Sequence, residues 1–330
     1  MKSVPLPIHK LAADLGLRAS SDPIAAILAY CDRKIEGFLK EMDRCDSLAE
    51  LLNWVEARVG TKFCSIRTEG DLQSIVAKYV ARGEKIFAGL QAELTDEVYG
   101  ITYRLQNAEA IAPPYVSVID CRGEKSARAY FTKWHEIAHL LTLTDQQRLR
   151  FTRSHSERDK KDPEERLMDI IAGKFGFYDR IFHKMVSDNI SFSELERVRQ
   201  VLCPEASLQS SLISFIKYWP APCIFLRANF ALNRKEQLDA GQGAFDFFDA
   251  PIPVLRGVEV SVNDLAREGG FQLFPNMRIP ESSIVQTVFR NGSGSANSIE
   301  DFHEWNNRSS GEVNVEARFR NGVEVLITPR

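Results

Sequence analysis

The chain has 330 residues, of which 44% are hydrophobic and 26% are charged, and its formal net charge is −3. This length is enough for more than one hydrophobic core, and the composition excludes disordered and collagen-like classes. The small negative charge gives no global argument for nucleic-acid binding, although a local basic groove remains compatible with it.

The six cysteines include no C-x-x-C pair, a pattern typical of free thiols in a reducing compartment. No run approaches the roughly 18 apolar residues that a membrane helix needs, and the N-terminal stretch has no continuous apolar segment of the kind found in secretory signals. We therefore expect a soluble, cytoplasmic protein that makes no membrane contact.

The first 120 residues carry alternating helix and strand signals. Helix starts are indicated by Asp22-Pro23 and by a capping box at 47–50, where a serine precedes a glutamate by three residues. A further helix is predicted at about 71–82, before Gly83. Three short strands are predicted from their β-branched and aromatic residues, at 61–67, 98–105 and 115–120.

The next predicted helix, at about 127–143, contains the sequence HEIAH, in which His135 and His139 are four residues apart. On a helix both imidazoles project from one face and can bind one Zn²⁺. Glu136 cannot comfortably bind the same ion, but it can reach a water beside it and act as a general base. The pattern predicts a zinc-peptidase helix, and the alternative is an ordinary core helix.

A charged stretch at 152–166 follows and is predicted to be a solvated surface loop, with a contact surface for a partner as the alternative. Lys160 and Lys161 lie in it, and Arg150 and Arg153 lie at or near its start. These basic residues leave open an activating role for single-stranded DNA, which salt-dependent binding would support.

A helix predicted at about 163–175 contains a candidate for the third protein ligand that a catalytic zinc site needs. Glu165 follows His139 by 26 residues, and Asp169 lies one turn later on the same face. The Asp169 carboxylate can accept a hydrogen bond from the outer nitrogen of a zinc-bound histidine. Zinc is therefore the predicted cofactor.

The rest of the chain divides into a helical and a β-rich part. Residues 191–219 predict two amphipathic helices joined by a turn at Pro204, a layout compatible with a helix-turn-helix. Residues 222–330 predict a separate α+β domain. In it, 283–290 is predicted to be a strand and 291–298 a flexible loop, and Asn321-Gly322 indicates a type I′ hairpin near the end.

The segments TKWHEIAHLL and EERLMDIIAGKF together resemble the ImmA/IrrE family of bacterial zinc metallopeptidases, whose ligand pattern is gluzincin-like. The resemblance covers residues 98–178 with some specificity. It implies that His135, His139 and Glu165 are the zinc ligands and that Glu136 is the catalytic base. Members of this family are typically cytoplasmic and cleave a helix-turn-helix transcriptional repressor, which switches on genes of stress responses, mobile elements or anti-phage defence.

The resemblance also implies an overall organisation of the α+β class. A helical, zincin-like metallopeptidase domain with a small β-sheet is expected at 1–190, a helix-turn-helix-like pair at 191–221, and a GAF-like sensory domain at 222–330. A substrate would add as an extended strand along an edge formed by 115–120. The alternative function is a non-catalytic, zinc-containing regulator that binds nucleic acid or a partner protein.

Two features of the predicted site stay open at this point. Cys121 follows the strand at 115–120, and its thiolate is a candidate inhibitory fourth ligand that would hold the enzyme latent; a small, half-buried thiol is the alternative. The residue that stabilises the oxyanion has three chemically able candidates, Tyr178, His155 and His183.

Overall fold

A computed structural model describes residues 4–17, 20–106, 113–144, 150–154, 162–233, 236–237, 252–307 and 309–330. The chain divides into two compact units. The first contains Met1–Phe182 and Arg199–Leu208, and the second contains His183–Val198 and Gln209–Arg330. Both helices and strands are present, so the predicted α+β class is confirmed, whereas the domain boundaries at 190 and 221 stay predictions.

Helices of the first unit begin where the sequence signals predicted. The Asp22 side chain accepts the Ala25 N–H at 3.0 Å, and the Ser47 side chain accepts the Glu50 N–H at 3.1 Å. The Glu50 carboxylate in turn accepts the Asp46 N–H at 2.8 Å. The α-helices that the structure describes in this unit are α1 (Leu6–Asp14), α2 (Pro23–Lys40), α3 (Leu48–Arg58), α4 (Glu69–Ala81), α5 (Leu90–Glu93), α6 (Ala129–Leu141), α7 (Pro163–Gly176) and α8 (Asp179–Phe182). There are also 3-10 turns at Lys85–Gly89 and Gly123–Arg128.

A four-stranded sheet lies at the centre of the first unit. Its strands are β1 (Thr61–Ile66), β2 (Val98–Arg104), β3 (Tyr115–Asp120) and β4 (Arg150–Ser154), in the order β1-β3-β2-β4. β3 pairs in parallel with β1 and antiparallel with β2. The expectation that 115–120 forms an edge is therefore wrong, because both sides of β3 are hydrogen-bonded to neighbouring strands.

Strand β4 also corrects the predicted loop. The expected surface loop began at 152, but Arg150–Ser154 pairs antiparallel with β2. The local charge of this stretch dominated the sequence signal, whereas a partner strand distant in the chain determined its conformation. The remaining residues of the loop at 155–161, with Lys160 and Lys161, lie outside the described residues.

The two faces of this sheet differ in character. On one face, apolar side chains of the strands, among them Ile101, Tyr103 and Val118, join a buried cluster with Leu72 and Phe87. The other face is covered by α6, which contacts β2 and β3. Since side chains alternate along a strand, this second face carries the residues between the apolar ones.

The second unit contains a five-stranded antiparallel sheet in the order β6-β5-β9-β8-β7. Its main hydrophobic cluster includes Leu226, Val285, Phe302 and Val325. The strands are β5 (Ile224–Ala231), β6 (Val254–Val262), β7 (Ser295–Asp301), β8 (Glu312–Phe319) and β9 (Val323–Pro329), and short helices α11 (Asp264–Glu268), α12 (Ile284–Asn291) and α13 (Phe302–Trp305) accompany them.

Two expectations for the second unit are wrong. Residues 284–291 form helix α12, not a strand, because Ser283 caps its start and Gly292, at φ 62°, ends it. Within 291–298, the last four residues belong to β7 and pair with β8. The β-branched residues of 284–291 favoured a strand in the sequence analysis. The polar composition of 291–298 favoured a loop, although part of it forms a strand.

The predicted helix pair and the final hairpin are present. The helices are α9 (Phe192–Leu202) and α10 (Leu208–Tyr218), and the boundary between the two units falls within α9. The hairpin joins β8 to β9, with Asn321 at φ 50° and Gly322 at φ 108°. Three residues, not two, lie between the paired ends Phe319 and Val323. Across the parts of the chain that the structure describes, no helix is long and apolar enough to cross a membrane.

Candidate metal centre

Helix α6 supplies two of the candidate ligands from a buried face. His135 and His139 are one turn apart, and the exposed fractions of their side chains are 0% and 6%. The helix is fixed to the end of α7 by Tyr130, whose hydroxyl donates to the Gly176 carbonyl at 2.6 Å. Trp134 packs over Gly176 at the same place, where a Cβ atom would lie only 3.1 Å from the indole ring.

Helix α7 supplies the carboxylates. Asp162 caps it by accepting the Glu164 N–H at 2.8 Å, and Pro163 occupies the first turn, where a missing N–H costs nothing. Leu167, Met168 and Ile171 are buried. Burial of this apolar face directs Glu165 and Asp169, which are four residues apart, towards α6.

The ligand atoms converge with the spacing of a tetrahedral zinc site. The Nε2 atoms of His135 and His139 are 3.2 Å apart; of the two Glu165 oxygens, Oε2 lies 3.1 Å from the first nitrogen and Oε1 lies 3.3 Å from the second. Bonds of about 2.0–2.1 Å around a tetrahedral ion place neighbouring ligand atoms about 3.3 Å apart. The three side chains therefore fit one small cation.

The outer contact of His135 determines which of its nitrogens faces the centre. Its Nδ1 lies 2.9 Å from Asp169 Oδ1, so that Nδ1–H donates to the carboxylate, and Nε2 faces the cluster, where it would present a lone pair to a bound cation. Acceptor atoms at these short separations repel each other unless a proton or a metal cation lies among them. This contact is the one predicted for Asp169.

Glu165 is anionic in this environment. Burial alone would raise the pKa of Glu165, but the hydrogen bonds and charges of His135 and His139 outweigh it and hold the pKa well below its usual range. The carboxylate is therefore available as a ligand throughout the neutral range.

Glu136 lies beside the cluster in a fully buried position. Its Oε2 accepts the Thr102 hydroxyl at 2.7 Å, whereas its Oε1 has no hydrogen-bond partner among the described residues. Burial raises the pKa of Glu136, although the charges of His135 and His139 oppose the shift. A carboxylate with one unpartnered buried oxygen has the arrangement that a general base needs, since that oxygen can take a proton from a water.

Cys121 is not part of the convergent group. Its Sγ donates to the Ile119 carbonyl at 3.7 Å, and, within the described residues, the ligand atoms that lie within 4.8 Å of one another belong to His135, His139 and Glu165. Burial raises the pKa of the Cys121 thiol, which disfavours the thiolate. The inhibitory role stays a prediction, and this geometry does not support it. All six cysteines are free thiols.

The three oxyanion candidates have different outcomes. The Tyr178 hydroxyl donates to Asp32 Oδ1 at 3.1 Å, and its side chain is buried. His183 belongs to the second unit, where its Nε2 lies 2.8 Å from the Tyr218 carbonyl oxygen. His155 lies outside the described residues. Tyr178 and His183 are thus already engaged in contacts within their own units.

Two site residues were missed from the sequence. Gly100 lies where β2 passes closest to α6, and Thr102 donates to Glu136 from the same strand face. Their alternation with Ile101 and Tyr103 is visible in the sequence, but only the packing of α6 on this face gives it a function.

A separate cavity of about 790 Å³ lies in the second unit. Asn314, Glu316 and Thr328 contribute to its lining. None of the metal-cluster side chains borders it, so its size carries no information about the candidate metal centre.

Comparison with known proteins yielded no relative: no protein-family model matches the chain, and no curated protein matches it. The resemblance to ImmA/IrrE metallopeptidases therefore remains a prediction from the sequence.

Proposed function

We propose that the chain is a zinc-dependent endopeptidase. The observation that carries the proposal is the convergence of His135, His139 and Glu165 on one point, beside a buried Glu136 whose Oε1 has no partner among the described residues. Zinc binding alone does not require a buried carboxylate at this position, because the ligand set is complete without it.

Each residue has a distinct role in the proposed reaction. Zinc, when bound by His135, His139 and Glu165, supplies a Lewis acid that polarises a scissile carbonyl and activates a water. Glu136 accepts a proton from that water and passes it to the leaving amine. Asp169 orients the His135 ring and fixes its tautomer.

The proposed substrate is a helix-turn-helix transcriptional repressor, whose cleavage would switch on stress, mobile-element or anti-phage defence genes. The resemblance of the two zinc-helix segments to ImmA/IrrE proteins supports this substrate class and a cytoplasmic location. Activation by single-stranded DNA belongs to the same proposal, and it rests on the basic residues in and near the stretch at 152–166.

Strand β4 replaces β3 as the proposed docking edge for an extended substrate. In the part of the chain that the structure describes, β4 pairs only with β2, and it contacts α6, which carries the zinc motif. A peptide that adds to its free side would gain backbone hydrogen bonds close to the metal centre.

Zinc stoichiometry is the first test. We expect one zinc per chain in the wild type, its loss in His139→Ala, and its retention in Glu136→Gln, because His139 is a proposed ligand and Glu136 is not. The measurement is elemental analysis of dialysed protein, with circular dichroism to show that each variant is folded. A folded wild type without zinc after loading would contradict the proposal.

Peptidase activity is tested separately by labelling new N-termini in a bacterial lysate treated with zinc-loaded protein. New termini that appear with the wild type and not with Glu136→Gln, and that include a helix-turn-helix protein, are the expected result. If both proteins bind zinc and produce identical termini, the chain is a zinc-containing regulator and not a peptidase.

A further inference from the structure

A row of three buried hydroxyl groups crosses the first sheet beneath α6. Thr102 Oγ1 and Ser117 Oγ are 2.6 Å apart, and Ser117 Oγ lies 2.9 Å from Thr61 Oγ1. The residues come from β2, β3 and β1, and their exposed fractions are 0%, 0% and 3%. The row ends at Glu136 Oε2, which lies 2.7 Å from Thr102.

The direction of these hydrogen bonds follows from the number of protons. Each hydroxyl has one proton to donate, and Thr102 donates its proton to the Glu136 carboxylate. Ser117 must then donate to Thr102, and Thr61 must donate to Ser117. All three O–H groups point towards Glu136, and hydrogen bonds aligned in this way strengthen one another.

The fold does not require hydroxyl groups at these three buried positions. Valine has the shape of threonine, is favoured in strands, and would fill the positions of Thr61 and Thr102 without a hydroxyl to satisfy, as alanine would at Ser117. The opposite face of the same strands is apolar, with Ile101, Tyr103 and Val118 in its cluster. The buried threonine and serine hydroxyls of these strands thus lie on the side of Glu136, whereas the hydroxyl on the opposite face, that of Tyr103, donates to Glu93.

The row of hydroxyls holds one oxygen of Glu136 and thereby orients the other, unpartnered oxygen. If Oε2 is held by Thr102, the carboxylate cannot rotate freely, and Oε1 keeps one direction. That direction is also restricted by Gly100, where an added Cβ atom would lie 3.1 Å from Oε1.

We propose that Thr102, supported by Ser117 and Thr61, is a positioning residue that fixes the Glu136 carboxylate through a polarised relay of hydroxyl groups. The catalytic consequence rests on the proposed peptidase function, but the relay itself is a property of the folded chain and can be tested without a substrate.

The test is a double-mutant cycle on the zinc-free full chain, with the melting temperature as readout. Thr102→Val is made in the wild type and in Glu136→Gln. A charged acceptor makes the Thr102 bond about twice as strong as a neutral one, so we expect Thr102→Val to lower the melting temperature about twice as much beside Glu136 as beside the glutamine. Ser117→Ala should show the same dependence on Glu136.

The matched control is Thr142→Val. Thr142 is also a buried threonine, and its hydroxyl donates to the Ala138 carbonyl at 2.9 Å within α6. Because it has no hydrogen bond to the row, its effect should be equal in the two backgrounds. Thr102→Ser restores the hydroxyl and should recover the coupling to Glu136.

Equal effects of Thr102→Val in both backgrounds would overturn the relay.

The activity of the same variants tests the catalytic consequence. Thr102→Val should lower kcat for cleavage about 10-fold with unchanged KM and zinc content, and Thr102→Ser should recover most of the lost kcat. A wild type that binds zinc without cleaving anything would refute the proposed function while leaving the thermal cycle interpretable. Cleavage by Thr102→Val at the wild-type rate would instead refute the positioning role alone.

Discussion

At the scale of single residues, Gly100 determines how closely β2 and α6 approach each other. An added Cβ atom would lie 2.7 Å from the Thr132 methyl group and 3.1 Å from Glu136 Oε1. We expect Gly100→Ala to destabilise the first unit by roughly 1–3 kcal/mol, because α6 must move away from the sheet. Zinc-dependent cleavage should fall as well, since Glu136 moves with the helix.

The measurement is urea unfolding followed by circular dichroism, with Gly37→Ala as the control. Gly37 lies inside α2 and has open space around its Cα, so alanine there should stabilise the helix by about 0.5–1 kcal/mol. A Gly100→Ala protein as stable as the wild type would show that the contact between strand and helix relaxes without cost.

The candidate metal residues could be predicted from the sequence, whereas the residues that hold them in place could not. HExxH and the later Glu165 specify their ligand chemistry through types and spacing alone, and the structure brings His135, His139 and Glu165 together. Thr102 and Ser117 are ordinary strand residues until their strands pair. Their contact depends on sheet register, which the local sequence does not encode.

At the scale of elements, an ion cluster around the buried Asp120 fixes the connection from β3 to α6. Asp120 ends β3, and its carboxylate accepts Arg122 Nε at 2.9 Å and Lys125 Nζ at 2.8 Å. Lys125 also donates to the Val98 carbonyl at 3.0 Å, which ties the 3-10 turn to the start of β2. The position of α6 relative to the sheet therefore depends on Asp120.

The pH dependence of this cluster can be predicted. Burial alone would raise the pKa of Asp120, but the bonds from Arg122 and Lys125 hold it below the ordinary value. The stabilisation is then complete above the unfolded pKa of about 3.9 and is lost as the pH falls through the lower folded pKa. Asp120→Asn should destabilise the protein by roughly 2 kcal/mol at neutral pH.

Urea unfolding of Asp120→Asn and wild type between pH 7 and pH 3 checks this expectation. The difference between them should begin to shrink as the pH falls below about 3.9, because the Asp120 carboxylate of the unfolded wild type then binds a proton before that of the folded protein. Asp46→Asn is the control, since its pair with Arg44 is exposed and should contribute little at either pH. A difference independent of pH would mean that Asp120 acts through packing and not through its charge.

The sequence predicted helix boundaries correctly where a local capping residue fixes them. It failed for strands whose conformation is decided by pairing with a distant strand. The helix starts at Asp22 and Ser47 were predicted from local sequence patterns, and in the structure each side chain accepts an N–H three residues later. Strand β4 and strand β7 were missed because their partners, β2 and β8, are remote or late in the chain. Helix α12 was taken for a strand because Val285 and Val288 suggest β-structure, although their spacing also fits one helix face.

At the scale of the whole molecule, the candidate metal centre takes all its ligands from one unit. His135, His139 and Glu165 belong to the first unit, and the second unit has its own hydrophobic cluster. Val325→Asn places an amide in that second cluster. We expect it to lower the free energy of unfolding of the second unit by several kcal/mol, enough to unfold that unit. The zinc content should stay at one per chain.

Limited proteolysis combined with elemental analysis distinguishes the outcomes. New cleavage in the second unit with retained zinc is expected for Val325→Asn, and His139→Ala should give the reverse pattern of lost zinc and unchanged proteolysis of the second unit. Loss of zinc in Val325→Asn would show that the first unit needs the second in order to fold.

The strand order of the second sheet also has a consequence for protein synthesis. β9 lies between β5 and β8, although it is made after every other described strand. A nascent chain that has not yet reached residue 323 therefore carries two half-sheets, each with an open edge on which another chain can pair. The second unit can complete its sheet only once β9 has been synthesised, and until then the edges of β5 and β8 are open to pairing with other chains.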